Sequence, residues 1–195
     1  MSGHIVRSFV MGTMYNHVMK MPEQIETERL VLRKPRMEDA NAIFAGWAQD
    51  NEVTRYLTWR PHQGIDQTNE FIQNCLYAWV HGTRFPFMIM LKATNEVIGM
   101  IDPRIEGHKV GVGYGAARAD WGNGYVPEAT RAIIKWAFQQ PLMYRVYATT
   151  DVENVASRRV LKKVGMQCEG ILRKYMVYPN ISDVPRDSYM YAITK

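Results

Sequence analysis

The chain has 195 residues, 47% of them hydrophobic and 22% charged, with a formal net charge of +5. That length and balance suit one globular domain with a substantial core, and no apolar run approaches the roughly 18–20 residues that a membrane span needs. The positive residues form no tail or block, which argues against a nucleic-acid partner, and Cys75 and Cys168 are too few and too far apart for a disulfide framework or a metal site, so the expectation is a metal-free protein in a reducing, cytoplasmic setting.

Residues 1–22 read as an extension, either disordered or an edge element, because patterned sequence begins only near Glu26. Phe9-Val10-Met11 is the only apolar stretch there, and no cleavage site follows it, so a secretory signal is not expected. Residues 23–195 read as a single domain. Arg29-Leu30-Val31-Leu32-Arg33 alternates as a strand and stops before Pro35. Glu38-Asp39-Ala40 opens a helix with an acidic first turn and with Ile43, Phe44 and Trp47 on one face. A second helix is predicted from about Asp66 to Gly82, with Phe71, Ile72, Cys75, Leu76 and Trp79 at helical spacing.

The middle of the chain reads as an antiparallel meander: Phe85 to Leu91, Val97 to Ile101, and Val110 to Ala116, with turns at Thr94-Asn95-Glu96 and Gly107-His108. Glycines 111, 113 and 115 strip one face of the third strand of side chains. The strand is either simply weak or open to close approach by a ligand. After residue 121 the pattern changes to glycine turn, helix (Pro127 to Gln139), strand (Tyr144 to Thr150) and helix (Asn154 to Val164), with Asn154 as N-cap and Gly165 as stop. Met166 to Met176 and Ser188 to Ile193 close the chain as a hairpin around a polar loop at 180–186. The fold class is mixed α/β (α+β), its strands first antiparallel and then connected through helices.

Trp121-Gly122-Asn123-Gly124-Tyr125-Val126-Pro127-Glu128-Ala129 carries the chemistry. Two glycines one residue apart, directly before a helix, let consecutive backbone N–H groups converge on phosphate oxygens, and a Cβ would obstruct both turn and phosphate. It is not a Walker A loop, since no Gly-Lys-Ser/Thr follows, and it lacks the third glycine of the dinucleotide fingerprint. Taken alone, such a turn often binds nothing. Asn154-Val155-Ala156-Ser157, ending in Lys163-Val164-Gly165, is the second constellation. By itself it is an N-cap and an exposed first-turn serine. Arg158-Arg159 with Lys162-Lys163 on the same helix is either a solvated face or a phosphate-facing one.

Together the two segments resemble the GNAT superfamily of N-acetyltransferases, and within it the RimJ/RimL-like ribosomal-protein-alanine acetyltransferase branch. Trp-Gly-x-Gly-Tyr-x-x-Glu-Ala is similar to that branch's coenzyme motif, Asn154-x-x-Ser157 with Lys163-x-Gly165 to its second motif, Glu26 to Arg33 to its first strand, and Val97-Ile98-Gly99 to its third. The resemblance runs from about residue 25 to the C-terminus. It implies a central, mostly antiparallel twisted sheet with one splayed pair of strands and helices on both faces. The activity it implies is direct transfer of an acetyl group from acetyl-CoA to a primary amine, in a ternary complex. Protein N-terminal α-amines come first among acceptors and small-molecule amines next. No nucleic acid, membrane or metal is implied, and the assembly is left as monomer or homodimer.

The resemblance also assigns positions. Backbone groups of Ala116 and Ala117 would pair with pantetheine, and Trp121, Gly122, Asn123, Gly124, Tyr125 and Val126 would surround the diphosphate. Asn154 would bond the pantetheine arm, and Ser157 would protonate the departing thiolate as general acid. Arg131 and Lys135 are candidates for the 3′-phosphate or parts of a solvated face. The chain departs from the superfamily at Ala119, where Gln or Arg is usual, and at Leu161, where many members carry the acidic tyrosine. The usual basic glutamate is missing from its two places, Gly111 and Met176. His108, Asp102 and Tyr114 lie on the right strands, but no base is named. The alternative is therefore an acetyl-CoA-binding module with weak or no catalysis.

Overall fold

The structure is a computed structural model and describes residues 21–82 and 84–195. Most of the extension expected at residues 1–22 lies outside the described residues; Met21 is already buried in the core.

Strand β1 (Gln24–Glu26) and strand β2 (Leu30–Arg33) form a hairpin, β1 being a short edge strand that the sequence pattern did not reveal. The first helical region is irregular. A 3-10 turn at Met37–Asp39 runs into α1 (Ala40–Ile43), which widens into a π-helical turn at Phe44–Ala48. Ile43 and Trp47 still point inward as their spacing predicts. Asp39 anchors the start, its carboxylate accepting from the Arg36 amide at 2.8 Å and from the buried Arg33 guanidinium at 2.6 Å. A further short helix, α2 (Asn51–Thr54), is capped by the Asp50 side chain on the Glu52 amide at 2.8 Å. Helix α3 (Ile65–His81) ends on left-handed Gly82, with Ile72, Cys75 and Trp79 buried as expected.

Strands β3 (Phe87–Leu91), β4 (Val97–Glu106) and β5 (Lys109–Ala116) make the antiparallel meander, β4 running five residues past the expected end at Ile101. Helix α4 (Tyr125–Gln139), strand β6 (Arg145–Asp151) and helix α5 (Val155–Lys163) follow. The closing hairpin is longer than its hydrophobic alternation shows: β7 (Gln167–Tyr178) and β8 (Ser182–Thr194) absorb most of the polar segment assigned to the loop. Polar residues there pair across strands. Asp187, for example, accepts from the Lys174 amide at a kink where Lys174 takes a positive φ.

The eight strands form one sheet in the order β1-β2-β3-β4-β5-β6-β8-β7, antiparallel except for β5 against β6. One face packs Ile43, Trp47 and Ile72 from α1, the π turn and α3 against Met88 and Met100. The other packs Ala129, Ile133 and Ala137 of α4 and Leu161 of α5 against Leu32, Ile89, Ile101 and Val110. The mixed sheet with helices on both faces is the expected fold. Its function-bearing feature is the single parallel pair, which joins only Lys109–Gly111 to Arg145–Tyr147. Beyond Gly111 the two strands part, while β5 stays with β4 through Ala116 and β6 stays with β8 through Asp151.

Candidate active site

The splay leaves backbone groups of β5 without a strand partner. The Ala117 amide donates to the Ile98 carbonyl at 2.8 Å, which fixes the phase of the β4–β5 ladder. Odd-numbered residues of β5 bond to β4, so even-numbered ones turn their N–H and C=O toward the gap. Val112, Tyr114 and Ala116 therefore face it. The Ala116 carbonyl accepts from the Trp121 indole at 2.9 Å. Of the groups expected at Ala116 and Ala117, the Ala116 amide is the one that opens on the gap.

The three glycines of β5 each have a neighbour over them. A Cβ at Gly111 would come within 2.9 Å of the Tyr147 ring, one at Gly113 within 3.7 Å of Arg104, and one at Gly115 within 3.9 Å of Leu57. At Gly111, where the strands part, a side chain would force the tip of Tyr147 to shift. Tyr147 is fixed there by its hydroxyl, which donates to Glu106 at 2.9 Å.

At the end of β5 the chain turns through Arg118–Asp120 into the glycine turn. Gly122 (φ 83°) and Gly124 (φ 80°) both occupy the left-handed region, as the alternation of glycines implies. Gly124 is the N-cap of α4 and offers no side-chain cap, so the first-turn amides keep no intrahelical partner. Trp121, Asn123, Tyr125 and Val126 follow in the same turn or first helical turn. Asn123 closes it by donating its side-chain amide to the Asp120 carbonyl at 3.3 Å.

Helix α5 begins across the gap. Asn154 Oδ1 caps it by accepting from the Ser157 amide at 3.0 Å, which leaves the Asn154 Nδ2 group without a partner among the described residues. The Ser157 hydroxyl meets the Tyr114 hydroxyl at 2.9 Å, and the same phenol reaches the Ser157 carbonyl at 3.3 Å. Burial pushes the Tyr114 phenol well above its ordinary range, more than its bond to Ser157 lowers it, so it is a neutral donor at any ordinary pH. Sequence spacing placed Tyr114 and Ser157 on separate elements, 43 positions apart; the splay brings them together.

Other candidates for proton transfer fall elsewhere. His108 is exposed at the β4–β5 turn, at the far end of β5 from Ala116. Asp102 is 2% exposed and held by Arg84 at 2.7 Å and Arg104 at 3.0 Å. The Cys75 thiol is buried and pushed up to about 12 by that burial, so it offers no nucleophile.

Sequence reading set Glu128 and Lys163 in the two motifs and Arg29 in the first strand, but did not bring the three together. Glu128 Oε1 accepts from the Thr27 hydroxyl at 2.6 Å and from the Arg29 amide at 2.9 Å, and its Oε2 from Arg29 Nε at 2.7 Å. Partial burial would raise its pKa; the bonds from Thr27 and Arg29 outweigh that and hold it below the glutamate range. Arg29 also donates to the Asn123 carbonyl at 3.1 Å. These residues surround a cavity of about 440 Å³ with Glu28, Asn123, Gly124, Arg131 and Lys163. Arg131 faces this cavity and Lys135 is not among its lining residues. No one-dimensional signal links residues 99 positions apart.

On the other side of the sheet a cavity of about 580 Å³ is lined by Trp59, His62 and Phe71 with polar residues of α3. His62 Nδ1 is 2.8 Å from the Thr68 hydroxyl, and burial lowers the ring's pKa, keeping it neutral. The β7–β8 tip is clasped to this loop: Asn180 donates to the Thr54 and Trp59 carbonyls at 2.6 and 2.8 Å, and Arg60 to the Pro179 carbonyl at 2.9 Å. On the same hairpin, Tyr178 is buried against Ser188 and Arg186 is tied to Asp151 at 2.7 Å. Tyr175 is exposed.

A sheet that splits beside a left-handed glycine turn, with a hydroxyl pair across the split, is the frame of an acyl-group transferase. Residues 29–167 match the acetyltransferase (GNAT) domain family. The chain is 36% identical over 176 residues to the N-acetyltransferase YoaA of Bacillus subtilis, itself uncharacterized, covering 88% of this chain and 96% of that one. A GNAT-family acetyltransferase from Bacillus anthracis superposes with a TM-score of 0.76 at 27% identity, over 88% of this chain and 98% of the other. Mycobacterium smegmatis RimJ, solved with a CoA-disulfide, gives a TM-score of 0.74 at 25% identity, over 85% and 81%. The chain belongs to the GNAT family of acetyltransferases and is an acyltransferase. No helix among the described residues is long and apolar enough to cross a membrane.

Proposed function

We propose that the protein transfers an acetyl group from acetyl-CoA to a primary amine within a ternary complex, and that residues 23–195 form the single domain that does so. The Tyr114–Ser157 hydroxyl pair across the splay, beside the unpaired Ala116 amide, carries the reading. Pantetheine would lie against the free edge of β5 as an added strand, and Asn154 Nδ2 is free to donate to it. The first-turn amides of α4 would receive the diphosphate. The Ala116 amide is placed to polarise the thioester carbonyl as negative charge develops on its oxygen.

The amine nitrogen attacks the thioester carbon, forming the C–N bond and a tetrahedral oxyanion. As the C–S bond breaks, Ser157 gives its proton to the thiolate and takes one from Tyr114 in turn. The ammonium proton leaves to water and restores the phenol through solvent. With Gly111 and Met176 where a carboxylate would sit, rate enhancement rests on positioning a neutral amine against the thioester. Protein N-terminal α-amines are the first acceptor class, in line with the likeness to RimJ, and small amines the second. Two free cysteines, one exposed, fit a reducing cytoplasmic compartment.

The test is thiol release from acetyl-CoA against peptides with free N-termini, polyamines, amino acids and aminoglycosides, alongside calorimetric coenzyme binding. Peptide-dependent release supports the proposal. Coenzyme binding with no release on any amine would instead favour a binding module that has lost catalysis, the reading that the missing carboxylate supports.

A further inference from the structure

The two faces of β5 differ. Tyr114 packs against the core beneath α4 and meets Ser157 on that side. Gly111, Gly113 and Gly115 turn the other way, because side chains alternate along a strand. Strand β4 places Met100, Asp102 and Arg104 on this second face, opposite Gly115, Gly113 and Gly111 in the ladder. The proton donors thus occupy one face of the gap and leave the other to the amine. On that other face Asp102 is 2% exposed, and its Oδ2 accepts from Arg84 Nε at 2.7 Å and from Arg104 Nε and Nη2 at 3.2 and 3.0 Å. Its Oδ1 is buried with no hydrogen-bond partner among the described residues. No other carboxylate among the described residues is shared by two guanidinium groups, so this cluster keeps a net positive charge. Glu106, further along the same face, is engaged by the Tyr147 hydroxyl at 2.9 Å and by Lys109 at 3.3 Å. A Cβ on Gly113 would lie 3.7 Å from Arg104 Nη2, so the guanidinium lies flat along the sheet there. Burying a carboxylate with one oxygen unpartnered costs stability. What it achieves is to fix two guanidiniums whose side chains are 36% and 51% exposed, with Nη1 and Nη2 of Arg84 and Nη1 of Arg104 free to donate among the described residues.

We propose that Arg84 and Arg104, positioned by Asp102, bind a carboxylate carried by the acceptor, and that this acceptor is a peptide with an acidic side chain at its second or third residue. The inference rests on the acetyl-transfer reading above and names the acceptor class for it. Guanidinium groups suit a carboxylate because their planar donors match its two oxygens. The place of the acid follows from strand geometry. Gly113 precedes Ala116 by three residues, which is about 10 Å along a strand. The Ala116 amide marks the thioester carbonyl, and the amine must come within about 3–3.5 Å of its carbon. The α-amine and α-carboxylate of a single amino acid, joined through one carbon, are too close together to reach both places. An extended peptide rises about 3.3 Å per residue. With its N-terminal amine at the gap, its second or third side chain comes over Gly113 and Arg104.

The test is thiol release from acetyl-CoA by the full chain, with short alanine-based peptides that have a free N-terminus and carry glutamate, glutamine or lysine at the second or third residue. Free glutamate, free glutamine and a polyamine complete the panel. The unaltered protein is expected to favour a glutamate peptide over its glutamine counterpart by about tenfold in kcat/KM, the gain from one charge-assisted contact. The lysine peptide should fall below both. Arg104→Gln should bring the glutamate and glutamine peptides level, and Arg84→Gln and Asp102→Asn should each narrow the difference. Arg84 and Arg104 are partly exposed, so their substitution leaves the core in place. Equal weakening toward both peptides would show a structural role alone and overturn the proposal. So would an unaltered protein that treats the peptides alike, or that discriminates only between the free amino acids. Release with the polyamine and with no peptide would overturn this inference and leave the transfer reading standing. Release with none of these amines would overturn that reading, and this inference with it.

Discussion

Replacing Glu128 by glutamine removes one charge and one hydrogen bond from the contact that joins the turn before β2 to the first turn of α4. The glutamine carbonyl can still accept from Thr27 and from the Arg29 amide, as Oε1 does now at 2.6 and 2.9 Å. Its NH₂ group, however, would stand against the Arg29 guanidinium where Oε2 now accepts at 2.7 Å. A hydrogen bond between charged groups contributes about 1.5–3 kcal/mol. The Arg29 side chain is 45% exposed, which places this one at the low end. Loss of a carboxylate from the first turn of α4 adds a few tenths of a kcal/mol through the helix dipole. The expected cost is about 2 kcal/mol, read as a lower urea midpoint at pH 7 with unchanged slope. Because the folded-state pKa of Glu128 is depressed, its contribution is complete above the ordinary glutamate value of 4.5 and is lost as pH falls through the folded value. The gap between the two proteins should therefore close in acid. A Glu128→Gln protein with the same midpoint at pH 7 would refute the role given to this contact.

Tyr114→Phe removes the hydroxyl that meets Ser157 at 2.9 Å; thiol-release kinetics should show kcat down about a hundredfold with the KM for acetyl-CoA held, the low end of the roughly 10²–10⁴-fold that a positioned proton donor supplies. An unchanged kcat would exclude the relay. Asn180→Ala breaks both bonds that hold the β7–β8 tip to the loop at Thr54 and Trp59. Steady-state assays should show a raised KM for the amine and an unaltered KM for acetyl-CoA, and equal effects on both would place the clasp outside the acceptor site.

Most of the sheet was legible because its strands obey a two-residue alternation and its turns carry glycine or asparagine, as at Asn95 and Gly107. The elements that escaped lack such a pattern. Strand β1 is three residues long and exposed at two of them. The polar start of β8, Ser182 to Arg186, shows no alternation to separate it from a loop, yet it pairs with β7 at Ser182 and Arg186. The π turn at Phe44–Ala48 shifts the helical phase without a signal in residue type. For the two strands, tertiary pairing overrides local preference.

The site divides along the same line. Gly122, Gly124 and Asn154 could be read from the sequence because their roles are backbone roles: a left-handed φ or an N-cap is demanded at one position and met by few residue types. The Tyr114–Ser157 pair, the Thr27–Glu128–Arg29 contact and the approach of Lys163 to Gly124 are side-chain meetings across 43, 101 or 99, and 39 positions. The Tyr114–Ser157 pair spans the gap that opens where β5 and β6 part after Gly111. Gly111, one of the two positions where the resemblance would put a carboxylate, lies beneath the ring of Tyr147. A side chain placed at 111 would bring its first carbon within 2.9 Å of that ring, so the ring would have to swing aside. On the proposed mechanism, with glycine at 111 and methionine at 176, the proton acceptor for the amine comes from solvent or from the acceptor side of the groove.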